Sequence, residues 1–314
     1  MIIKGPAAIE RDGTFLYIHG DIIATPVRGT VQQQVDSVGF NDEREGTFKW
    51  EIGFTPAGVA SAAYFDELYP AAYRTPIVGT DIFGAVDTPI VIWTFDGQKI
   101  TFNRSALTAM PDLNLAADKQ LFGGATYTAL GTLEESLDTA GRFAELQAAA
   151  FADTSFDPSK ILTLVYGAAW GAIAPWDSIA SQTGFTFTFD LALAEEPSDA
   201  YGIAGMTIGA GGLNVVGKCQ PQGITAAQIL AAMAPVKRGQ SIYSGAGNAN
   251  TLALTTATVD EPFFNLFNSA LKTLPLQAGA EVNRNGEVEF VATTNRYTAG
   301  AMQPVFEIGL TPAA

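Results

Sequence analysis

One histidine and one cysteine limit the chemistry open to this 314-residue chain. His19 ends an apolar run, Phe15–His19, beside Gly20-Asp21, and an imidazole next to a carboxylate is the raw material of a general base. No Gly-x-Ser-x-Gly turn accompanies it, so it reads as a structural hydrogen-bonding residue. Cys219 precedes Gln220-Pro221 at an expected helix entrance, where a helix dipole lowers a thiol pKa, but a small buried apolar residue is the simpler reading. A lone Cys and a lone His exclude an intrachain disulfide and a Cys/His zinc site. The run Gly205-Met-Thr-Ile-Gly209-Ala-Gly211-Gly212 lacks the Gly-Lys-Ser/Thr of a phosphate loop and the spacing of a dinucleotide site. It reads as a flexible loop or a close-packed sheet edge, and Tyr243–Gly247 as a turn. Two carboxylate clusters remain, Asp42-Glu43-Arg44-Glu45 and Glu195-Glu196-Pro197-Ser198-Asp199, without calcium-loop spacing. Each is expected as an acidic loop after a long early strand, in contact with another subunit. The sequence thus predicts no enzyme, no catalytic residue, no cofactor and no metal site.

Composition narrows the class further. The chain has 17 Lys and Arg against 32 Asp and Glu, a net charge of −15, with 47% hydrophobic and 16% charged residues. That is enough apolar material for real cores and too little charge for a disordered chain. The excess of carboxylates repels phosphates, which argues against a nucleic-acid binder held by a basic face. The N-terminus lacks the pattern of a secretory signal, so synthesis into the cytoplasm is expected. The charge-poor stretches 161–176 and 200–217 are interrupted by Gly, Pro or polar residues, so no membrane span is expected.

Sliding the sequence on itself uncovers a weak repeat. Pro56-Ala-Gly58-Val59 with Ala62, Phe65, Leu68 and Pro70 lies over Pro221-Gln-Gly223-Ile224 with Ala227, Leu230, Met233 and Pro235, at an offset of 165. Ser105-Ala106-Leu107 with Met110-Pro111 lies over Ser269-Ala270-Leu271 with Leu274-Pro275, at 164. Tyr127 and Ala129 lie over Phe290 and Ala292, at 163. This order predicts a tandem duplication, with one domain over 1–155 and a second over 156–314, carrying charges of −10 and −5. Phe54 then corresponds to Cys219.

The elements that must position these residues read mainly as strands. Phe15–His19 follows an Asp12-Gly13 turn, and Pro89–Phe95 and Lys99–Phe102 flank Asp96-Gly97 as a hairpin. Phe185-Thr-Phe-Thr-Phe189 alternates cleanly and should line a core with its phenylalanines. Val288–Val291 and Val305–Ile308 add further strands. One short helix per half is expected, from Thr55-Pro56 to about Tyr69 and from Thr225, with capping-box spacing to Gln228, to about Met233. Thr132–Phe151 reads as a connecting helix broken at Gly141. The predicted fold class is mainly β (α+β): two tandem β-sandwich or partial-barrel domains, each flanked by a short helix.

On these residues the chain resembles the tail tube (major tail) proteins of long-tailed bacteriophages. The resemblance rests on the whole architecture, on Ile9-Glu-Arg-Asp-Gly-Thr-Phe-Leu-Tyr-Ile18, and on Val38–Ile52 followed by Thr55-Pro-Ala-Gly58. It implies a virion protein, assembled in the host cytoplasm, whose copies build stacked rings around a channel for double-stranded DNA. A duplicated chain implies trimers with pseudo-sixfold symmetry. The implied partners are other copies of the chain, a tape measure protein, a tail terminator and distal tail proteins. Asp42, Glu43, Arg44, Glu45, Glu195, Glu196 and Asp199 would then meet the next ring. Glu51, Glu287 and Glu289 are the candidates for an acidic lumen that DNA passes without specific binding. Readings outside this family are a capsid decoration or baseplate hub protein, or a carbohydrate-binding module using Trp93, Trp170 and Trp176.

Overall fold

Asp12 and Gly13 both take the left-handed conformation (φ 46° and 76°), the geometry that closes a two-residue hairpin with the twist of its strands. In the computed structural model, residues 2–3, 6–35, 39–57, 62–84, 88–116, 119–152, 167–172, 174–198, 202–233, 241–243, 250–255, 262–273, 286–294, 297–298 and 301–310 are described. Among them the chain is mainly β, in antiparallel sheets. The expected boundary at 155/156 lies outside the described residues.

The first half runs through β1 (Ile2–Ile3), β2 (Ala7–Arg11), β3 (Thr14–Leu16), β4 (Ile18–Val35), β5 (Gly39–Pro56), α1 (Ala62–Leu68), α2 (Ala71–Arg74) and β6 (Ile90–Thr94). It continues with β7 (Gln98–Phe102), β8 (Ser105–Ala109), β9 (Leu113–Leu115), β10 (Ala125–Ala129), β11 (Leu133–Leu137) and α3 (Arg142–Ala152). One sheet has the order β1-β4-β5-β10-β8 and the other β11-β7-β6-β2-β3. Ile22, Ala24, Ile52 and Phe54 from the first meet Ile9, Ile92 and Phe102 from the second in one buried cluster, closed by Tyr64, Phe65 and Leu68 of α1.

The second half comprises β12 (Gly167–Trp170), β13 (Ala180–Ser198), β14 (Gly202–Gln222), α4 (Ala226–Ala232), β15 (Asn250–Thr255), β16 (Pro262–Thr273), β17 (Val288–Thr293), β18 (Tyr297–Thr298), β19 (Ala301–Met302) and β20 (Phe306–Leu310). Its strand order repeats that of the first half. β13-β14-β17 and the C-terminal part of β16 follow one another as β4-β5-β10-β8 do, while β20, the N-terminal part of β16, β15 and β12 follow one another as β11-β7-β6-β2 do. The registers agree as well. Ala125↔Phe54 and Tyr127↔Ile52 in the first half match Val288↔Cys219 and Phe290↔Gly217 in the second. Tyr127↔Leu107 matches Phe290↔Leu271, and the irregular pairs Thr126↔Ala109 and Glu289↔Thr273 sit at the same step. Where β7 gives way to β8, Arg104 is left-handed (φ 52°), and Asn268 (φ 48°) takes that conformation inside β16.

The predicted alternation around Phe185–Phe189 is present, with Phe185 and Phe187 buried and Phe189 half-buried. Thr225 caps α4 through the expected capping box with Gln228. Several expectations are corrected. Thr55-Pro56 does not start a helix: β5 continues through Pro56, which pairs with Ile18, and α1 begins at Ala62. Residues 133–137 are not helical, because β11 pairs residue for residue with β7. The chain turns helical only after Asp138, whose carboxylate accepts from the backbone N–H groups of Arg142 and Phe143. The first half therefore carries three described helices where one flanking and one connecting helix were expected. The glycine run is not a loop but part of β14, beyond the reach of β17, which pairs only from Asn214 to Cys219; it is close-packed as expected, with Gly211 letting Ala192 approach.

Candidate functional site

The two halves meet along a seam built from strand edges. β9 of the first half leaves its own sheets and pairs with β13 of the second, Leu113↔Phe187 and Leu115↔Phe185. Earlier in the chain, the segment after α2 turns at Val78-Gly79 and clasps the far part of β14. Gly79 N–H donates to Ile208 O at 2.8 Å, Ile208 N–H to Thr80 O at 2.9 Å and Ile82 N–H to Met206 O at 3.0 Å. Phe83, Ala106 and Met206 bury one another beside this clasp. Deeper in, Tyr69 packs its ring 5.1 Å from that of Phe189 and 6.0 Å from that of Phe306, and its hydroxyl donates to Pro111 O at 3.0 Å. Burial holds the Tyr69 phenol well above its ordinary pKa, so it stays neutral.

One charged group bridges the seam. Lys49 of β5 places Nζ 2.9 Å from Glu195 of β13 and 3.2 Å from Glu51. Its partial burial works to lower the ammonium pKa, but the hydrogen bonds to Glu195 and Glu51 outweigh it and the net shift is upward. The structure thus brings together a lumen candidate and an inter-ring candidate on one lysine. Sequence reasoning missed Lys49; its only sequence signal is a position two residues from Glu51 on the same strand face.

The other candidates separate. Asp42, Glu43, Arg44 and Glu45 are not in a loop: they lie in β5 and pair with Gln33, Gln32, Val31 and Thr30. Glu195 and Glu196 likewise lie in β13, opposite Met206 and Gly205, and both are exposed. The two clusters occupy the far parts of long hairpins, and the hairpin of the second half is buried there on β14 at Met206 and Ile208 while Glu195 and Glu196 of β13 are exposed. Asp199 falls outside the described residues. Glu289 is in β17, 3.3 Å from Lys218 of β14, and Glu287 is exposed just before β17.

In two different sheets, Glu51, level with Thr25 and two residues from Lys49, and Glu289, level with Lys218 and Thr186, stand on the strand faces opposite their buried neighbours Ile52 and Phe290, as strand alternation requires. Two of the three lumen candidates, Glu51 and Glu289, stand within ion-pair distance of a lysine, Glu51 sharing Lys49 with Glu195.

His19 is exposed at the start of β4, paired with Thr55, rather than at the end of a strand running from Phe15. Cys219 is buried near the C-terminal end of β14, and burial pushes its thiol pKa upward, the opposite of helix-dipole activation. Trp170 and Trp176 are buried edge to face, 5.3 Å apart, and Trp93 lies under the Lys99 ammonium while donating to Glu10. They do not form an exposed aromatic platform. Among the described residues no group of three or more His, Cys, Asp or Glu is placed to hold a metal ion, and no helix is long and apolar enough to cross a membrane. No family model matches this chain, and no curated protein sequence matches it.

Proposed function

We propose that the chain is a tandem duplicate of one β domain and a structural subunit of a phage tail tube, whose copies join head to tail into trimeric, pseudo-sixfold rings that stack into a tail. The observation that carries this reading is the seam. The first half docks on the second through β9 and the clasp, and the same strand order and register run through both halves. A domain that docks on its own repeat presents, at the other end of the chain, the surfaces for the next copy. Such a heterologous contact closes into a ring when the rotation per domain divides a full turn. Ring closure also removes the sheet edges that would otherwise recruit stray strands.

The charge pattern supports a conduit for double-stranded DNA rather than a DNA-binding surface. Glu51 and Glu289, each in its own half, stand beside threonines and within ion-pair distance of a lysine, while the whole chain carries −15. A lining of this kind offers no cluster of cations to release the counterions that make DNA stick. On this reading the partners are further copies, a tape measure protein, a terminator and distal tail proteins, and the protein is assembled in the host cytoplasm into the virion tail. Negative-stain microscopy and sedimentation of the purified full chain test it. Rings or tubes whose mass is a multiple of three chains are expected; a chain that stays monomeric at high concentration and in screening salt overturns the proposal.

A further inference from the structure

We infer that the apolar end of the first half's sandwich, at Pro26, Phe48, Trp50 and Leu133, is the surface on which a second copy of the chain docks with the end of its α4. The inference rests on the ring reading above and names the surface that reading needs. Its basis is the seam, because these four positions can be followed through both halves. Pro26 pairs with Trp50 in the first hairpin as Phe189 pairs with Val215 in the second. Phe48 stands two residues before Trp50, and Leu213 two before Val215. Leu133 opens β11 opposite Phe102, and Phe306 opens β20 opposite Leu266.

In the second half this end of the sandwich is closed. Leu213, Val215 and Phe306 are fully buried and Phe189 is half-buried. The first half supplies cover there. Tyr69, one residue past α1, lays its ring against Phe189 and Phe306, and the Arg74 carbonyl at the end of α2 accepts from Val305 N–H at 2.7 Å. In the first half the same end is open, with Phe48, Trp50 and Leu133 half-buried and Pro26 exposed. Phe48 and Trp50 meet edge to face at 5.8 Å, and Trp50 meets the buried Phe102 at 5.5 Å, so the patch is the end of the core itself. Thr132 holds the place of Val305, since each carbonyl accepts from the strand opposite, from Asn103 N–H and Phe267 N–H. Thr132 is exposed, and its own N–H meets no acceptor among the described residues.

The occupant follows from the repeat. α4 lies over α1 in the duplicated sequence, with Leu68 over Met233, and α1 is the helix whose end caps the neighbouring half. Within one chain the second half has no third repeat to cap, and the first half has no repeat before it to cap its open end. A second copy supplies both. The displacement that sets α1 over Phe189 and Phe306 sets another chain's α4 over Pro26 and Leu133, and its repetition closes a ring. Pro26 lacks the N–H that strand addition uses, so side chains rather than a new strand make this contact. Half-buried aromatic and aliphatic residues are the material of an interface core.

The test uses the full chain under conditions in which the wild type assembles. With the photoreactive residue p-benzoylphenylalanine in place of Pro26, irradiation is expected to give linked dimers and trimers whose cross-linked tryptic peptide is 219–237, the one that carries α4, from another copy. Pro26→Arg would bury an unpaired charge in the contact and should cut the assembled fraction by about tenfold or more at an unchanged urea midpoint, because the residue is exposed in the single chain. Pro26→Ala should assemble like the wild type. Rings whose cross-links from position 26 fall on any other peptide, or rings of Pro26→Arg at wild-type yield, overturn the docking surface and leave the ring reading standing. A wild type that never assembles overturns both.

Discussion

If the two halves are copies of one domain, their cores should be exchangeable pair by pair, and the Phe187–Gly217 pair offers the sharpest test. These residues face each other across β13 and β14, and their counterparts across β4 and β5 are Ala24 and Ile52. The large and small members have traded strands. Phe187 is fully buried against Phe264, with ring centroids 4.1 Å apart. A Cβ added to Gly217 would stand 2.6 Å from Phe187 Cε1 and 2.9 Å from Cδ1, closer than real contacts allow. Phe187→Ala should cost about 3–5 kcal/mol by opening a cavity, and Gly217→Ile about 1–3 kcal/mol by overpacking. Independent effects would sum to about 4–8 kcal/mol in the double variant. If the isoleucine fills the space the phenyl ring leaves, as in the first half, the double variant should instead lose about 2 kcal/mol or less. Urea unfolding followed by tryptophan fluorescence measures this as a shift in midpoint at constant slope. Additivity within about 0.5 kcal/mol would refute the claim that the two halves solve one packing problem in two ways.

Three further outcomes are expected. Arg11→Ala strands the Glu67 carboxylate, which now takes hydrogen bonds from Arg11 Nη1 at 2.5 Å and the Tyr127 hydroxyl at 2.6 Å, and should cost about 3–5 kcal/mol in urea unfolding. The joint change Arg11→Trp with Glu67→Ala copies Trp170 and Ala232 of the second half and should restore most of that loss; equal loss in both variants would count against the equivalence. Glu10 has its pKa lowered by the hydrogen bond from Arg142 (Nη2 to Oε1, 2.7 Å) against the opposing effect of burial. A depressed carboxylate stabilises the fold above its unfolded pKa and loses that contribution as pH falls through the folded one. The stability gap between wild type and Glu10→Gln should therefore narrow below about pH 4, and a gap that widens there refutes the assignment. Thr225→Ala removes the hydroxyl that accepts from the Gln228 N–H and should cost about 1 kcal/mol, with the loss confined to amide protection in α4.

Where one signal dominated, the sequence was readable. Asp12-Gly13 and Asp96-Gly97 could only turn, and the Phe-Thr alternation at 185–189 has no helical reading, so both were placed correctly. Misreadings came where one string satisfies two local rules. Thr55-Pro56 fits a helix cap, yet Phe54 alternates with Ile52 into the core and carries the strand two residues further. Leu133 and Leu137 are spaced like a helix face, but the ladder to β7 supplies every residue with a partner that an isolated helical turn lacks. The acidic clusters read as loops because charge is rare in half-buried strands. In the second half Glu195 and Glu196 lie on β13 opposite Met206 and Gly205 of β14, so the strand's charged side chains reach solvent while its partner strand supplies the buried Met206, and charge there says nothing against a strand.

The Arg11–Glu67 pair was not readable, since its partners lie 56 positions apart and only the fold joins them. Its absence in the second half explains a second feature. A cavity of about 320 Å³ there is lined by Trp170, Trp176, Gln228, Ala231, Ala232 and Asn250. Ala231 and Ala232 stand where the first half has Asp66 and Glu67, and Trp170 stands where it has Arg11. Both Arg11 and Trp170 reach the same strand: Arg11 Nη2 donates to Ser105 O at 3.1 Å, and Trp170 Nε1 to the equivalent Ser269 O at 3.2 Å and Oγ at 3.0 Å. One half fills the site with a charged pair and the other with an indole and shortened helix residues. On the proposed duplication, the hydrogen bond to the serine carbonyl is kept while the volume of the glutamate is not replaced, which accounts for part of the space lined by Trp170, Gln228 and Ala232.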